Sequence, residues 1–198
     1  MAQIAENVSW GKPPIEGGIK VAPLGTKLPT APDEALNAAF KSLGYVSEDG
    51  VVNTQSRDTD SIKAWGGDEV LLLYTGSTDE YAFTLIESMN VEVLKLIYGE
   101  ENVTGTPETG LTVKVDSQPR PMRSFVIDTV QKDRTIKRMV IPKGEVIQDG
   151  DISYTDNDAI GFPVRIKCNK DEDGYSQYMY SKKGSTTTTS STSGGTSR

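Results

Sequence analysis

Three stretches of this chain alternate between apolar and polar residues with a period of two. Between Tyr81 and Glu87 (YAFTLIE), Tyr81, Phe83 and Leu85 share one face and Thr84 takes the other. Leu111 to Asp116 (LTVKVD) puts Leu111, Val113 and Val115 on one side and Thr112, Lys114 and Asp116 on the other. Ala159 to Asn169 (AIGFPVRIKCN) sets Ile160, Phe162, Val164, Ile166 and Cys168 against Arg165 and Lys167, with Pro163 predicting a sheet edge or a bulge. Strands dry on one face and wet on the other belong to antiparallel sheets. The expected fold is therefore mainly β (α+β), with antiparallel pairing throughout. Glu69 to Thr75 (EVLLLYT) is a further β-rich run, and Gly76, Ser77 and Asp79 read as the turn that sends Tyr81–Glu87 back along it.

Two segments carry helical spacing instead. After Asn90, a good N-cap, Val91, Leu94, Ile97 and Tyr98 recur on one side, and Gly99 stands where a left-handed C-cap is wanted. Thr30 to Gly44 (TAPDEALNAAFKSLG) predicts a second helix. There Thr30 and Asp33 resemble a capping box, Pro32 occupies the first turn, and Leu36, Ala39, Phe40 and Leu43 form an apolar stripe.

The longest hairpin signal is Ser124 to Gln131 (SFVIDTVQ), a turn at Lys132-Asp133-Arg134, and the return Thr135 to Ile141 (TIKRMVI), ended by Pro142-Lys143-Gly144. Neither strand separates into an apolar and a polar face, which predicts contact with protein on both sides. Val51 to Arg57 and Tyr175 to Lys182 read as further strands, Asp58-Thr59-Asp60 as a solvated acidic turn, and Trp65-Gly66-Gly67 as a turn beside a large ring. Residues 1–18 read as a flexible arm. Its Trp10 either folds back on its own domain or plants itself on a neighbour. Residues 19–183 form the β domain, and residues 184–198, rich in Ser, Thr and Gly, read as a disordered tail.

Composition removes several classes of activity. The formal net charge of −7 argues against a reader of nucleic-acid sequence, which needs clustered Lys and Arg. The absence of His removes the commonest general base, the commonest zinc ligand and every Ser-His-Asp triad. Cys168, the single cysteine, sits in a strand-like run and reads as a plain buried thiol. No catalytic set, metal centre or cofactor motif is expected, and no run reaches the length of a membrane span.

Several strings resemble the major tail tube proteins of long, non-contractile phage tails: APLGTKLP (Ala22 to Pro29), LGYVSEDGV (Leu43 to Val51), DSIKAWGG (Asp60 to Gly67) and FTLIESMNVEVLKLIYGEENVTG (Phe83 to Gly105). The resemblance spans roughly residues 18 to 183. It implies an antiparallel β-sandwich or barrel with one or two flanking helices, whose long hairpins join those of other subunits in a continuous inner β-barrel. Hexameric rings then stack into a tube that encloses a tape-measure protein, meets tail-tip and tail-terminator proteins at its ends, and later passes DNA without reading it. The implied location is the virion. On that basis the tube hairpin is expected to use Phe125, Ile127, Thr129, Ile136, Met139 and Ile141, and contacts between subunits or rings to use Trp10, Trp65, Gly66, Gly67, Asn102 and Val103. Asp128 and Asp133 are candidates for an acidic lumen, with pairing of Asp128 to Lys137 or Arg138 as the alternative.

Two other classes compete. A carbohydrate- or receptor-binding sandwich would use the aromatic cluster Tyr175, Tyr178 and Tyr180. A carboxylate-pair hydrolase would draw on the many acidic residues, although these fall in Gly- and Asn-containing turns where solvated Asp is ordinary.

Overall fold

The computed structural model describes residues 8–148 and 150–184. Ten strands and one α-helix follow in the order β1 (Ile19–Pro23), β2 (Lys41–Ser42), β3 (Val52–Lys63), β4 (Glu69–Leu85), α1 (Val91–Tyr98), β5 (Val103–Thr106), β6 (Gly110–Val113), β7 (Arg123–Val130), β8 (Ile136–Gln148), β9 (Phe162–Asn169) and β10 (Tyr178–Lys182). Eight strands make one antiparallel sheet in the order β2-β1-β7-β8-β9-β4-β3, with β10 added on β8; β5 and β6 form a separate hairpin. The mainly β, antiparallel expectation holds. The proposed tail beyond residue 184 and the first seven residues of the arm lie outside the described residues.

β8 organises the sheet because it has three neighbours. β7 runs along one edge, while the other edge is shared, Ile136–Val140 with β10 and Lys143–Gln148 with β9. Pro142 falls between those two partners, where a missing N–H disturbs neither ladder, so the strand continues past the proline that the sequence reading took as its end. Gly144 is needed here because a Cβ would lie 2.6 Å from the Phe125 ring.

The main core collects Ile19, Phe125, Ile127, Ile141, Tyr81, Phe83, Leu85, Val164, Ile166 and the buried side of α1. α1 matches its prediction. Asn90 Oδ1 accepts from the Glu92 N–H at 3.0 Å, and Gly99 closes the helix at φ 97° while donating to Lys95 O. Arg120 Nε donates to Ile97 O at 3.0 Å, setting a cation at the negative end of the helix. An eight-residue helix is marginal alone, and Val93, Leu94, Leu96 and Ile97 hold it by burial.

The other face of β7 and β8 bears a second, smaller core of Ala22, Phe40, Val126 and Val140, bordered by Leu28, Leu36, Ala39, Tyr178 and Tyr180. Its cover is residues 24–40, and the helix expected from Thr30 to Gly44 is absent there; turns and the short β2 replace it. Two causes are visible. The carbonyls of Ala31 and Glu34, which a helix would use internally, accept from Arg138 Nη1 at 3.2 and 2.7 Å. The apolar stripe is also split, Phe40 entering the small core and Leu43 the main one.

Arg138 is itself buried and forks onto Asp128, with Nε–Oδ1 at 2.7 Å and Nη2–Oδ2 at 3.1 Å; Lys20 stands 3.4 Å from the same carboxylate. The pairing alternative thus describes Asp128, which presents almost no surface to solvent. The side chains proposed for the tube hairpin of Ser124 to Ile141 also face their own domain. Phe125, Ile127, Met139 and Ile141 are buried in the main core, and Thr129 and Ile136 are partly buried beside it. The protein on both sides of these strands is their own chain. Val103 is also a core residue, so it offers no surface to a neighbour.

Removing one partner of a buried pair leaves the other charge unmatched, at a cost of about 3–5 kcal/mol. Arg138→Met should lower the unfolding free energy by that order in a denaturant titration, whereas Lys27→Met, at an exposed pair with Glu34, should change it by less than about 1 kcal/mol. Burial, with Asp79 and Glu80 nearby, pushes the Cys168 thiol up to about 12. At pH 8 it should therefore resist thiol reagents in the folded protein and react once denaturant unfolds it.

Candidate assembly interface

β3 and β4 share a ladder twelve pairs long, from Val52↔Ala82 to Lys63↔Glu69. Only its root belongs to the body. Glu80 to Leu85 pair with β9; three side-chain links tie the root to the body and a fourth, from Arg57 to Asp79, braces the hairpin itself. Arg165 Nη1 meets Glu80 Oε2 at 2.9 Å, Arg57 Nη1 meets Asp79 Oδ1 at 3.2 Å, Ser176 Oγ donates to Asp79, and Tyr81 Oη donates to Gln177. Beyond Thr78 the hairpin leaves the domain, and nearly every residue from Val52 to Ser77 is exposed. The turn expected at Gly76, Ser77 and Asp79 does not occur, because these residues pair with Asp58, Arg57 and Gln55. The chain reverses instead at Ala64–Asp68, where the Ala64 N–H donates to Asp68 O and Gly66 and Gly67 take φ 119° and 98°. Those angles favour glycine.

Register fixes the faces of the projecting part. Thr54, Ser56 and Asp58 stand opposite Glu80, Thr78 and Gly76 on one face; Arg57 and Ser77 stand opposite one another on the face that continues to Tyr81. The register shift between Asp58 and Thr59 leaves Thr75 unpaired, a bulge. Past it the hairpin turns apolar on both sides: Leu71 and Leu73 face Ile62 and Asp60, while Leu72 and Tyr74 face Ser61 and Thr59. Val70 to Tyr74 are 40–77% exposed, and Trp65 at the tip is wholly so. Asp58 and Asp60, read from sequence as an acidic turn, are strand residues here.

The other singled-out residues are dispersed. Trp10 lies on the arm, with the Lys12 ammonium 5.2 Å from its ring centre. Lys12 exchanges two backbone hydrogen bonds with Val130, and Ser9 Oγ accepts from the Lys132 N–H, so the arm rests on its own domain. Asn102 Nδ2 donates to Tyr98 O and Asp116 Oδ2, both at 2.8 Å. The side chain of Asp133 lies outside those described. Of the tyrosines proposed for carbohydrate, Tyr178 and Tyr180 stack and border the small core, and Tyr178 Oη is bound to Asp171.

A recess of about 620 Å³ opens between the arm and the root of β4. It is lined by Pro13 to Gly18, Ser42, Gly44 to Val46, Glu87 and Asn90. Glu87 is engaged, accepting from the Tyr45 N–H at 2.9 Å and from Asn90 Nδ2 at 2.8 Å. Among the described residues no group of three or more His, Cys, Asp or Glu is placed to hold a metal ion, and no helix is long and apolar enough to cross a membrane.

Sequence comparison agrees with this surface. No curated protein matches the chain. A family model described as phage tail tube protein matches residues 13–190. With the match covering most of the sequence, the chain belongs to the phage tail tube protein family, structural proteins of the virion tail that are not enzymes.

Proposed function

We infer that copies of this chain close into hexameric rings through the β3–β4 hairpin, and that the rings stack into the conduit for the genome. The observation that carries this reading is the hairpin itself, a long ladder outside the domain with apolar side chains on both faces and a free outer edge on β3. Such an edge is an aggregation hazard unless another chain pairs with it. Pairing that closes around an axis consumes every edge, as a barrel does. The tape-measure, tail-tip and tail-terminator proteins are the further partners this reading calls for.

Within such a barrel, the face bearing Thr54, Ser56, Asp58 and Thr78 suits the lumen. Hydroxyls stay hydrated, and carboxylates repel phosphate where Lys or Arg would bind it by counterion release. Asp58 and Asp60 take the place that Asp128 cannot fill.

Concentrated protein should show rings and tubes by negative-stain electron microscopy. Leu72→Asp alters an exposed residue on the face away from Asp58 and Asp60, so it should leave the unfolding free energy within about 0.5 kcal/mol while reducing assembly. A chain that stays monomeric at millimolar concentration, even with tail-tip components, would sink the reading. The lumen assignment has a separate test. Asp58→Lys with Asp60→Lys should leave tubes intact yet slow DNA ejection, most at low salt where screening is weakest; normal ejection under those conditions removes it.

A further inference from the structure

Trp65 and the recess beside the arm are, respectively, a fully exposed indole and an unfilled hollow, and they lie at opposite ends of one strand. Trp65 stands in the turn that leads into Glu69, the first residue of β4. The recess adjoins the strand's last residue, because Val46, in its lining, bridges to Leu85. Seventeen residues at roughly 3.3 Å each separate the two features by about 55 Å. A domain of this size has a radius of gyration of about 16 Å. The tip therefore cannot fold back into its own recess.

We propose that Trp65 of one copy seats in the recess of the next copy along the strand direction, making the contact that joins one ring to another; this rests on the ring-and-tube reading above. The occupant is a second copy of this chain for three reasons. Knob and hollow are different surfaces at opposite ends of one strand, so a contact between them is heterologous and can repeat along one direction, as a tube requires and a closed dimer does not. The hollow's volume lies within the roughly 300–1,000 Å³ of clefts that take drug-sized ligands, enough for an indole together with the turn residues that flank it. Its walls supply Pro13, Pro14 and the exposed Tyr45 ring for an indole to pack on, and a buried Trp is a common energetic anchor of interfaces. The apolar outer half of the hairpin continues directly into the same contact, which covers side chains that no lumen would cover.

The test compares the unaltered chain with Trp65→Ala, Trp65→Phe and Tyr45→Ala, all at exposed positions. Trp65→Ala and Tyr45→Ala should still form rings but lose tubes at least tenfold by particle count, with partial recovery in Trp65→Phe. Separately, a chain with Ala64→Cys and one with Ile15→Cys, mixed and assembled, should cross-link to each other with a short bifunctional maleimide and not when either is alone. Both positions are solvent-exposed, and Cys168 is shielded. If the unaltered chain forms tubes and Trp65→Ala forms the same tubes, this contact is overturned while the ring reading stands. Loss of rings together with tubes in Trp65→Ala places the indole in the ring contact and also overturns it. If the unaltered chain forms neither, the ring reading falls and takes this one with it.

Discussion

The ion pair between Asp128 and Arg138 decides which hairpin this protein keeps and which it offers. Its second nitrogen set draws residues 31–34 down onto the outer face of β7 and β8, and Lys182, bonded to Asp33, ties β10 to the same cover. With both faces of that hairpin occupied by their own chain, its exposed part is the turn around Lys132 and Arg134. A charge pair at this depth is costly to desolvate, and two apolar residues of like volume could pack as well. What the pair adds is direction. The fork fixes the register Asp128↔Arg138 and turns two backbone carbonyls away from helix formation.

β4 then serves two environments in succession. Tyr81, Phe83 and Leu85 alternate inward in the manner of a half-buried strand, whereas Leu71 to Tyr74 are apolar without alternation. The second pattern normally marks a strand covered on both sides, and here the cover must come from outside the chain. A net charge of −7 offsets the risk, since mutual repulsion keeps free subunits apart until assembly supplies enough contacts to overcome it.

The same distinction explains what could be read from the residues alone. α1 was legible to its caps because Asn90 and Gly99 act locally, and β9 because its alternation reflects one core on one side. A turn at Trp65-Gly66-Gly67 was legible from its glycines, but not that the long hairpin reverses there. Three features were not. The segment from Thr30 to Gly44 carries honest helical spacing, and what undoes it lies far away in sequence: a guanidinium about a hundred residues later and two separate cores that claim Phe40 and Leu43. Gly76 and Ser77 resemble a turn but pass straight through a ladder, since a bulge at Thr75 absorbs the irregularity. The two-sided character of β7 and β8 was visible, but whether a strand's second cover is its own chain or another's is not written in its periodicity. That ambiguity placed the expected tube hairpin at β7–β8, whose side chains face their own domain, and the expected lumen residue at Asp128, which pairs with Arg138.

β4 also determines how a subunit would carry load. A pull on the tip travels down two backbones side by side and enters the body through the segment from Glu80 to Leu85. Its hydrogen bonds to β9 lie across the direction of pull, so they must slip together and cannot peel one after another. Force applied along the axis therefore meets a shear-resistant joint in every subunit, while a sideways push at the bulge beside Gly76 meets far less. A filament built of such parts is stiff against stretching and compliant in bending.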